Sequence, residues 1–452
     1  MDATVENSMA SSFFSLGDWP DQQWWKMFRC PQLNTLIEEA IAQNPSLQSI
    51  EQKVAAARQE AIIARSKCLP LLFFDWNDQW QFLSENGLYR AFNPTLPLSA
   101  NLIDLSFSFT YEFDFWGKYH NLFHAAIGRE KAQMAEAAQV NLIITTGLAQ
   151  AYFAFKTNLV RRRLYNELYQ VRKAIYQLQN LLLGSALSSK LPVLLAEEDL
   201  YEVEKRVLSI EEEIATDRHL INQLRGQGPD APIDADESLP MLPKTIAIPK
   251  TLQLELLSRR PDLMAQIWRV EALAKEAGAA KADYYPNFNI AAFFGWESFH
   301  YSTLFNKSSE TVGVGPAMSL PMYTAGAIGA NIDAKKALFN EALFQYNDLL
   351  LKSTQEIADM LVLATSIFGQ KEKQTTIVKS AQSRYELTAL RQKCGLDNAL
   401  QNYAYHQEVL EKQLEDIQLV YGQYLTTVKL IKALGGGYLS DYCIPIQTKG
   451  AP

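Results

Sequence analysis

The chain has 452 residues, of which 48% are hydrophobic and 20% are charged, and its formal net charge is −8. A chain of this length can form one to three domains. The acidic balance argues against a nucleic-acid-binding protein, which needs a basic face to neutralise phosphates. No window of about eighteen residues is continuously apolar, so the sequence predicts no transmembrane helix.

The first residues lack the features of an export signal. Acidic residues stand where a signal peptide carries basic ones, and no apolar core of sufficient length follows. Either the protein is not exported or its targeting segment is absent from this chain, so the N-terminus predicts no compartment. Residues 1–32, which are aromatic-rich and aperiodic, are interpreted as an irregular N-terminal segment.

Residue types that catalyse reactions or bind metals show no functional arrangement. His120 and His124 are four residues apart, as in a zinc-binding helix, but no third ligand accompanies them. The glycine clusters fit no phosphate-binding loop, and no nucleophile–base pair is evident. The cysteines contain no CxxC pair and allow three disulfide connectivities or none: Cys30, Cys68, Cys394 and Cys443. The sequence thus predicts no enzyme, no metal site and no cofactor.

Two long strands are predicted after a helical segment at residues 33–67, which Pro45 divides into two helices. The strands lie at about 70–83 and 102–115, where apolar and polar residues alternate. In the second strand, IDLSFSFTYEFDF, the alternation holds throughout. Thirteen residues at ~3.3 Å each reach roughly 43 Å, and a tilt of ~45° lets them cover about 30 Å, the hydrocarbon thickness of a bilayer.

The two faces of the second strand predict two environments. On this segment alone, a strand of a soluble sandwich with one packed face is an alternative to a membrane strand. In a membrane strand the polar face lines a water-filled pore and the apolar face meets lipid. The predicted pore-facing residues are Asp104, Glu112 and Asp114, and the predicted lipid-facing residues are Phe107, Phe109 and Tyr111.

A very long helix is predicted after Gly117. Residues up to Leu183 contain no proline and are rich in Ala, Leu, Gln and Lys, which gives a helix of roughly 100 Å. A turn at 184–192 leads into a second helix that ends near Leu224. We assign residues 33–226 to one unit of helices and strands, and residues 227–250 to a proline-rich connector.

The second half of the chain repeats the first. Pro45 matches Pro261, and several apolar positions that follow them match at the same offset. After a loop that is seven residues shorter, Gly117 matches Gly326, again with apolar positions nearby at one common offset. Matches at such constant offsets indicate a duplication.

The second repeat is assigned to residues 251–434, with strands at about 286–299 and 311–322, and residues 435–452 form a C-terminal tail. Prolines weaken its last strand because each removes a ladder donor. In its helices, positions that are apolar except for Ser353 recur alternately four and three residues apart, at Phe339, Leu343, Tyr346, Leu350, Ser353, Ile357, Met360, Ala364 and Ile367, and at Leu410, Leu414, Ile417, Tyr421, Tyr424, Val428 and Ile431. This 3.5-residue repeat predicts a coiled coil, whereas a plain buried helix would drift to 3.6.

Four strands of bilayer length cannot close alone, since membrane barrels begin at about eight strands. Copies of the chain must therefore share a barrel, with eight strands from a dimer or twelve from a trimer. A coiled-coil scaffold outside the membrane would leave the alternating strands without a purpose. A general porin would not need helices of this length.

Several motifs then identify a family resemblance. They read GDWPDQQWWKMFRCPQL, FTYEFDFWGK, SRRPDLMAQIWRVEALAKEAGAAKADYYPNFNI, CGLDNALQNYAYHQ and KLIKALGGGY. Over residues 17–438 the chain resembles TolC-like outer-membrane efflux channels, in the OprM/NodT branch that serves resistance-nodulation-division pumps. The resemblance implies an α+β membrane protein that forms a homotrimer. Its twelve-stranded outer-membrane barrel, with four strands per chain, is continued by a coiled-coil α-helical tunnel in the periplasm.

The resemblance also implies a function and partners. The channel passively conducts drugs or other small molecules, received from an inner-membrane pump through a periplasmic adaptor protein, across the lipid bilayer. Such channels close near the helix turns with an apolar and an acidic ring. Leu400 falls on the apolar position and Ala404 on the acidic one, which leaves Asp397 as the nearest carboxylate. Relatives usually carry a lipidated N-terminal cysteine, and no such segment is present here.

Overall fold

The computed structural model of the chain describes residues 13–95, 97–243, 245–249 and 257–439. The elements of the first half are β1 (Phe14–Gly17), α1 (Pro31–Gln43), α2 (Pro45–Ser66), β2 (Leu71–Phe82), the short α3 (Leu88–Phe92), β3 (Ser99–Phe113), α4 (Lys118–Gly184) and α5 (Lys190–Leu224). Those of the second half are β4 (Ile246–Pro249), α6 (Pro261–Ala282), β5 (Asn287–Ser298), β6 (Glu310–Ser319), α7 (Ala327–Lys393) and α8 (Ala399–Ala433). Short 3₁₀ turns occur at Trp24–Phe28 and Lys307–Ser309.

Corresponding helices in the two halves have identical lengths. The helices α2 and α6 have 22 residues each, α4 and α7 have 67, and α5 and α8 have 35. The helices α2 and α6 begin at Pro45 and Pro261, and the helices α4 and α7 begin directly after Gly117 and Gly326. These are the residue pairs that match in the sequence repeat, so the element bounds support a duplication.

The break between α1 and α2 is made by Asn44, which is buried and extended, as a residue before proline prefers. Its side-chain oxygen accepts the backbone N–H of Ser46 at 2.8 Å and so caps α2. Its amide nitrogen donates to the carbonyl oxygen of Leu224 at 2.8 Å. One side chain therefore starts a helix and ties it to the end of α5.

The chain divides into two compact units. One unit comprises residues 53–133 and 266–346 and contains a four-stranded antiparallel sheet in the order β2-β3-β5-β6. The other comprises residues 1–52, 134–265 and 347–452. Its described part holds most of the helical core and a parallel ladder of β1 with β4.

The core of the unit that contains residues 134–265 and 347–452 confirms the heptad spacing predicted for α8. Leu410 and Ile417 are buried together with residues of α4 and α5. Farther along α8, Tyr424 and Val428 are buried in an aromatic cluster, where the rings of Tyr424 and Phe153 stack with centroids 4.3 Å apart. The helix α5 continues the same pattern with buried Val193, Ala196, Val203, Ile210 and Ile221. The spacing by multiples of about 3.5 residues identifies coiled-coil packing.

Several predicted bounds differ from the structure. The strand predicted to end at residue 115 ends at Phe113, and the last strand ends at Ser319 instead of 322, two residues before Pro321. Pro192 lies inside α5, within the first turn, where a missing N–H costs nothing. The supposedly irregular N-terminal segment contains β1, whose partner β4 lies far along the chain, in the connector.

No helix in the described ranges is long and apolar enough to span a bilayer. Cys30, Cys68 and Cys394 carry free thiols. Cys443 lies outside the described residues. Of the alternatives left open by the sequence, these three cysteines therefore form no disulfide with one another.

Candidate functional site

The four-stranded sheet has one apolar face. Cross-strand pairing places Phe74 opposite Phe107 and Phe107 opposite Phe294, and Val312 of the edge strand continues this row. The rings of Phe74 and Phe107 have centroids 5.1 Å apart. Directly opposed residues of an antiparallel pair share a face, so the row is continuous across all four strands. Its side chains remain substantially exposed, with Val312 at 74%.

The opposite face is polar. Asn77, Asp104 and Glu297 form one row across β2, β3 and β5. Ser108 donates its hydroxyl to a carboxylate oxygen of Asp75 at 2.8 Å, which links two strands on this face. The alternation predicted from the sequence is thereby confirmed as a sheet with chemically distinct sides.

The predicted residues of the second strand fall on these faces as follows. Phe107, Phe109 and Tyr111 lie on the apolar face, opposite Phe294, Ala292 and Ile290. Asp104 and Glu112 lie on the polar face, opposite Glu297 and Asn289.

Asp114 lies beyond the end of β3, and its predicted place within the strand is wrong. Its carboxylate accepts the backbone N–H of His120 at 2.7 Å and so caps the first turn of α4. Nearby, the indole N–H of Trp116 donates to the carbonyl oxygen of Pro286 at 2.7 Å. The strand therefore stops because the chain turns into the helix, with Gly117 at a φ of 71°.

The outer strands of this sheet each have one open edge. In the described part of the chain, β2 pairs only with β3, and β6 pairs only with β5. These strands are 12 and 10 residues long. An exposed edge of this length presents a row of unpaired N–H and C=O groups that can pair with another strand.

The turn between α7 and α8 holds the residues predicted to form a gate. Leu400 is half-buried in the first turn of α8, and Ala404 is exposed one turn later. Asp397 accepts two hydrogen bonds from the guanidinium of Arg391, at 2.7 and 3.2 Å. This forked ion pair holds the pKa of Asp397 below its usual range. No sequence pattern singles out Arg391, because its partner lies across a turn whose geometry cannot be read from spacing.

Both long helical hairpins turn in the same way. The N–H of Leu187 donates to the carbonyl of Leu182, and at the corresponding place in the second half Leu396 donates to Arg391. The residue before the donor is left-handed in each turn, at a φ of 53° in Ala186 and 73° in Gly395. This is the Schellman termination, for which glycine is preferred. Arg391 thus contributes both its carbonyl and its side chain to the second turn.

The His120–His124 pair places its two Nε2 atoms 2.9 Å apart. Within the residues that the structure describes, no group of three or more His, Cys, Asp or Glu side chains is arranged to hold a metal. The pair is therefore explained as a hydrogen bond between two histidines one helical turn apart.

Comparison with known proteins places this architecture in a family. A model of the outer membrane efflux protein family matches residues 36–227 and 252–436. The multidrug resistance outer membrane protein MdtP of Escherichia coli K12 is 27% identical over 428 residues, which cover 93% of this chain and 87% of MdtP.

Solved structures give the same result. The outer membrane protein VceC of Vibrio cholerae is 29% identical, with a TM-score of 0.81 and coverage of 93% of this chain and 100% of VceC. The Campylobacter jejuni CmeC outer membrane channel has a TM-score of 0.87 at 21% identity, covering 96% and 92% of the two chains. With both repeats matched, the chain belongs to the outer membrane efflux protein family.

Proposed function

We propose that three copies of the chain form a closed twelve-stranded barrel, with four strands from each copy, and a coiled-coil helical tunnel. The observation that carries this proposal is the two-faced sheet with two open edges. Backbone groups in a bilayer must all be paired, so the edge of β2 needs a partner such as β6 of a neighbouring copy. The apolar face then meets lipid and the polar face lines the pore.

The chain is an outer-membrane channel of an efflux system and is not an enzyme. Its substrates are small molecules, including drugs, as the name of MdtP suggests. They are delivered by an inner-membrane resistance-nodulation-division pump through a periplasmic adaptor, and they leave by passive conduction. In this proposal Asp104 and Glu112 face the pore, with Asp114 at its helical end, and Phe107, Phe109 and Tyr111 face lipid.

The turn between α7 and α8 is proposed as the periplasmic gate. Leu400 supplies an apolar constriction, Ala404 replaces the usual carboxylate, and the Arg391–Asp397 ion pair fixes the turn. The equal helix lengths in both halves support the proposed repeats at 33–226 and 251–434. The connector at 227–250, the segment at 1–32 and the tail at 435–452 flank them.

The protein extracted in detergent tests this proposal by light scattering, followed by reconstitution in planar bilayers. A chain of 51.1 kDa should give a protein mass of three copies and discrete conducting channels. A monomer that stays in water without detergent would favour a coiled-coil scaffold instead. Raised drug accumulation in a strain lacking the protein, with loss of accumulation on re-expression, distinguishes an efflux channel from a general porin.

A further inference from the structure

We propose that the polar face of the sheet selects lipophilic aromatic cations as they pass through the pore. The inference rests on the proposed function, since it requires this face to line the barrel. Two independent features carry it: the sign of the charges along the strands, and two aromatic side chains that interrupt the polar face in one cross-strand row.

The four long strands contain acidic residues and no basic residue. Their carboxylates are Asp75, Asp78, Asp104, Glu112, Glu297 and Glu310, and no Lys, Arg or His occurs in any of the four. Asp75, Asp104, Glu112 and Glu297 lie on the polar face. Asp104 and Glu297 are directly opposed, an arrangement of like charges that costs stability in a sheet.

Two basic residues outside the strands lie near these carboxylates. Lys67 lines the same recess as Glu112, next to the start of α4, and His300 lines the same recess as Glu297, near the other end of the strands. The polar face still carries four carboxylates in each copy, so three copies would place twelve carboxylates in the pore. A water-filled passage lined by one sign of charge concentrates the opposite ion.

Two phenylalanines lie among these polar residues. Phe73 and Phe293 flank Ser108 on either side, in a single row across the sheet. They are 49% and 45% exposed, although their neighbours in sequence on the same face are mostly polar or small. The ring of Phe293 lies so close over Gly313 that a Cβ there would collide with its Cε1 atom. Packing over this glycine gives Phe293 one structural reason to be aromatic. It gives no such reason for Phe73, which lies on β2, the outer strand on the other side of the sheet.

The rings and the charges are close enough to contact one solute. Phe73 and Asp75 are two residues apart on the same face, roughly 6.6 Å along the strand. In a barrel with strands tilted by ~40°, Phe73 and Phe293 differ in height by about 6 Å, because two strand spacings of ~4.8 Å separate them. Three copies therefore form a belt of six rings beside carboxylates. Aromatic faces and anions together favour a large cation with apolar arms.

The test uses tetraphenylphosphonium, its anionic counterpart of similar shape, tetraphenylborate, and the non-aromatic cation tetraethylammonium. Each is added to single channels in planar bilayers, after subtraction of the current it carries through a protein-free bilayer. Tetraphenylphosphonium should block the wild-type channel at the lowest concentration of the three. Block of the Phe73→Leu/Phe293→Leu variant should need an about tenfold higher concentration of tetraphenylphosphonium, as expected when two weak cation–ring contacts are lost.

The matched control is Phe74→Leu/Phe294→Leu, which makes the same change on the opposite face. Tetraphenylphosphonium should block this control variant at the same concentration as the wild type. A second variant, Asp104→Asn/Glu297→Gln, should reduce the preference for K⁺ over Cl⁻ measured from reversal potentials. Block is read from individual open channels, so a smaller amount of assembled variant does not affect it.

Failure of this inference and failure of the proposed channel function give different results. The inference is overturned if tetraphenylphosphonium blocks the two phenylalanine variants at the same concentration. It is also overturned if tetraphenylborate blocks the wild-type channel at a lower concentration than tetraphenylphosphonium. Either result would leave a conducting trimer. A wild-type protein that forms no channel at all would contradict the proposed function instead.

Discussion

At the scale of single residues, the two hairpin turns have the same backbone conformation at one position but a different residue in it. Ala186 and Gly395 hold equivalent left-handed positions in the two Schellman turns. A Cβ in this conformation costs roughly 1 kcal/mol or more, and glycine avoids that cost. The second turn is therefore relaxed, while the first retains backbone strain.

We expect Ala186→Gly to stabilise the first hairpin by about 0.5–1 kcal/mol, and Gly395→Ala to destabilise the second by a similar amount. The midpoint of thermal unfolding in detergent measures both. Ser185→Gly is the control, because residue 185 does not have a positive φ and glycine there should bring no gain. Equal effects of glycine at 185 and 186 would show that flexibility, and not relief of strain, determines the result.

At the scale of elements, the sequence predicted those parts whose side-chain pattern repeats. Thirteen alternating residues identify β3, and a sustained 3.5-residue repeat identifies α8. The pairing of β1 with β4 could not be predicted, because two four-residue strands carry no periodic signal and lie far apart in the chain. The alternation predicts that Asp114 belongs to the strand, whereas its carboxylate caps α4.

The two faces of β3 should respond oppositely to the same charge. Phe109→Lys places an ammonium on the lipid side, at a cost of about 2–4 kcal/mol near the bilayer midplane, and should reduce barrel assembly. Thr110→Lys, on the next residue and the polar face, should assemble normally. Thr110 is a cleaner control than Ser108, whose hydroxyl donates a hydrogen bond to Asp75. Heat-resistant oligomer on gels measures assembly, and the reverse result would mean that the faces are inverted.

One position in α5 makes the helical unit sensitive to pH. Asp217 follows the heptad spacing of its buried neighbours, and burial raises its pKa to about 6. Asn158 donates a hydrogen bond to its carboxylate at 2.8 Å, and Glu213 nearby opposes ionisation. The folded pKa lies above that of the unfolded chain, so stability falls as pH rises from about 4 to about 6 and stays lower above that.

We therefore expect Asp217→Asn to raise the unfolding temperature well above pH 6 and to have little effect well below pH 4. Asparagine keeps a hydrogen-bonding side chain and removes only the charge. Asp199→Asn, on the same helix, is the control and should show no such gain, because Asp199 is half exposed and is paired with Arg172. A gain from Asp217→Asn that is equal at low and high pH would rule out ionisation as its cause.

At the scale of the whole molecule, the proposed gate and the proposed pore are separate features of one conduit. Leu400→Ser should raise single-channel conductance, because it removes an apolar side chain from the proposed constriction. Leu208→Ser is the control, since Leu208 is an exposed leucine on α5 outside the turns. Unchanged current in the Leu400 variant would remove this residue from the gate.

The identical lengths of corresponding helices have a practical consequence for engineering. The two halves differ in length between α2 and α4 in the first and between α6 and α7 in the second, where the strands and their joining loops lie. Length changes in these loops leave every later helix in its own 3.5-residue phase, whereas an insertion of one residue within α4 or α7 would shift the side chains beyond it around the helix. A peptide tag inserted between Leu83 and Leu98 should therefore be tolerated, and it would allow the channel to be labelled on intact cells.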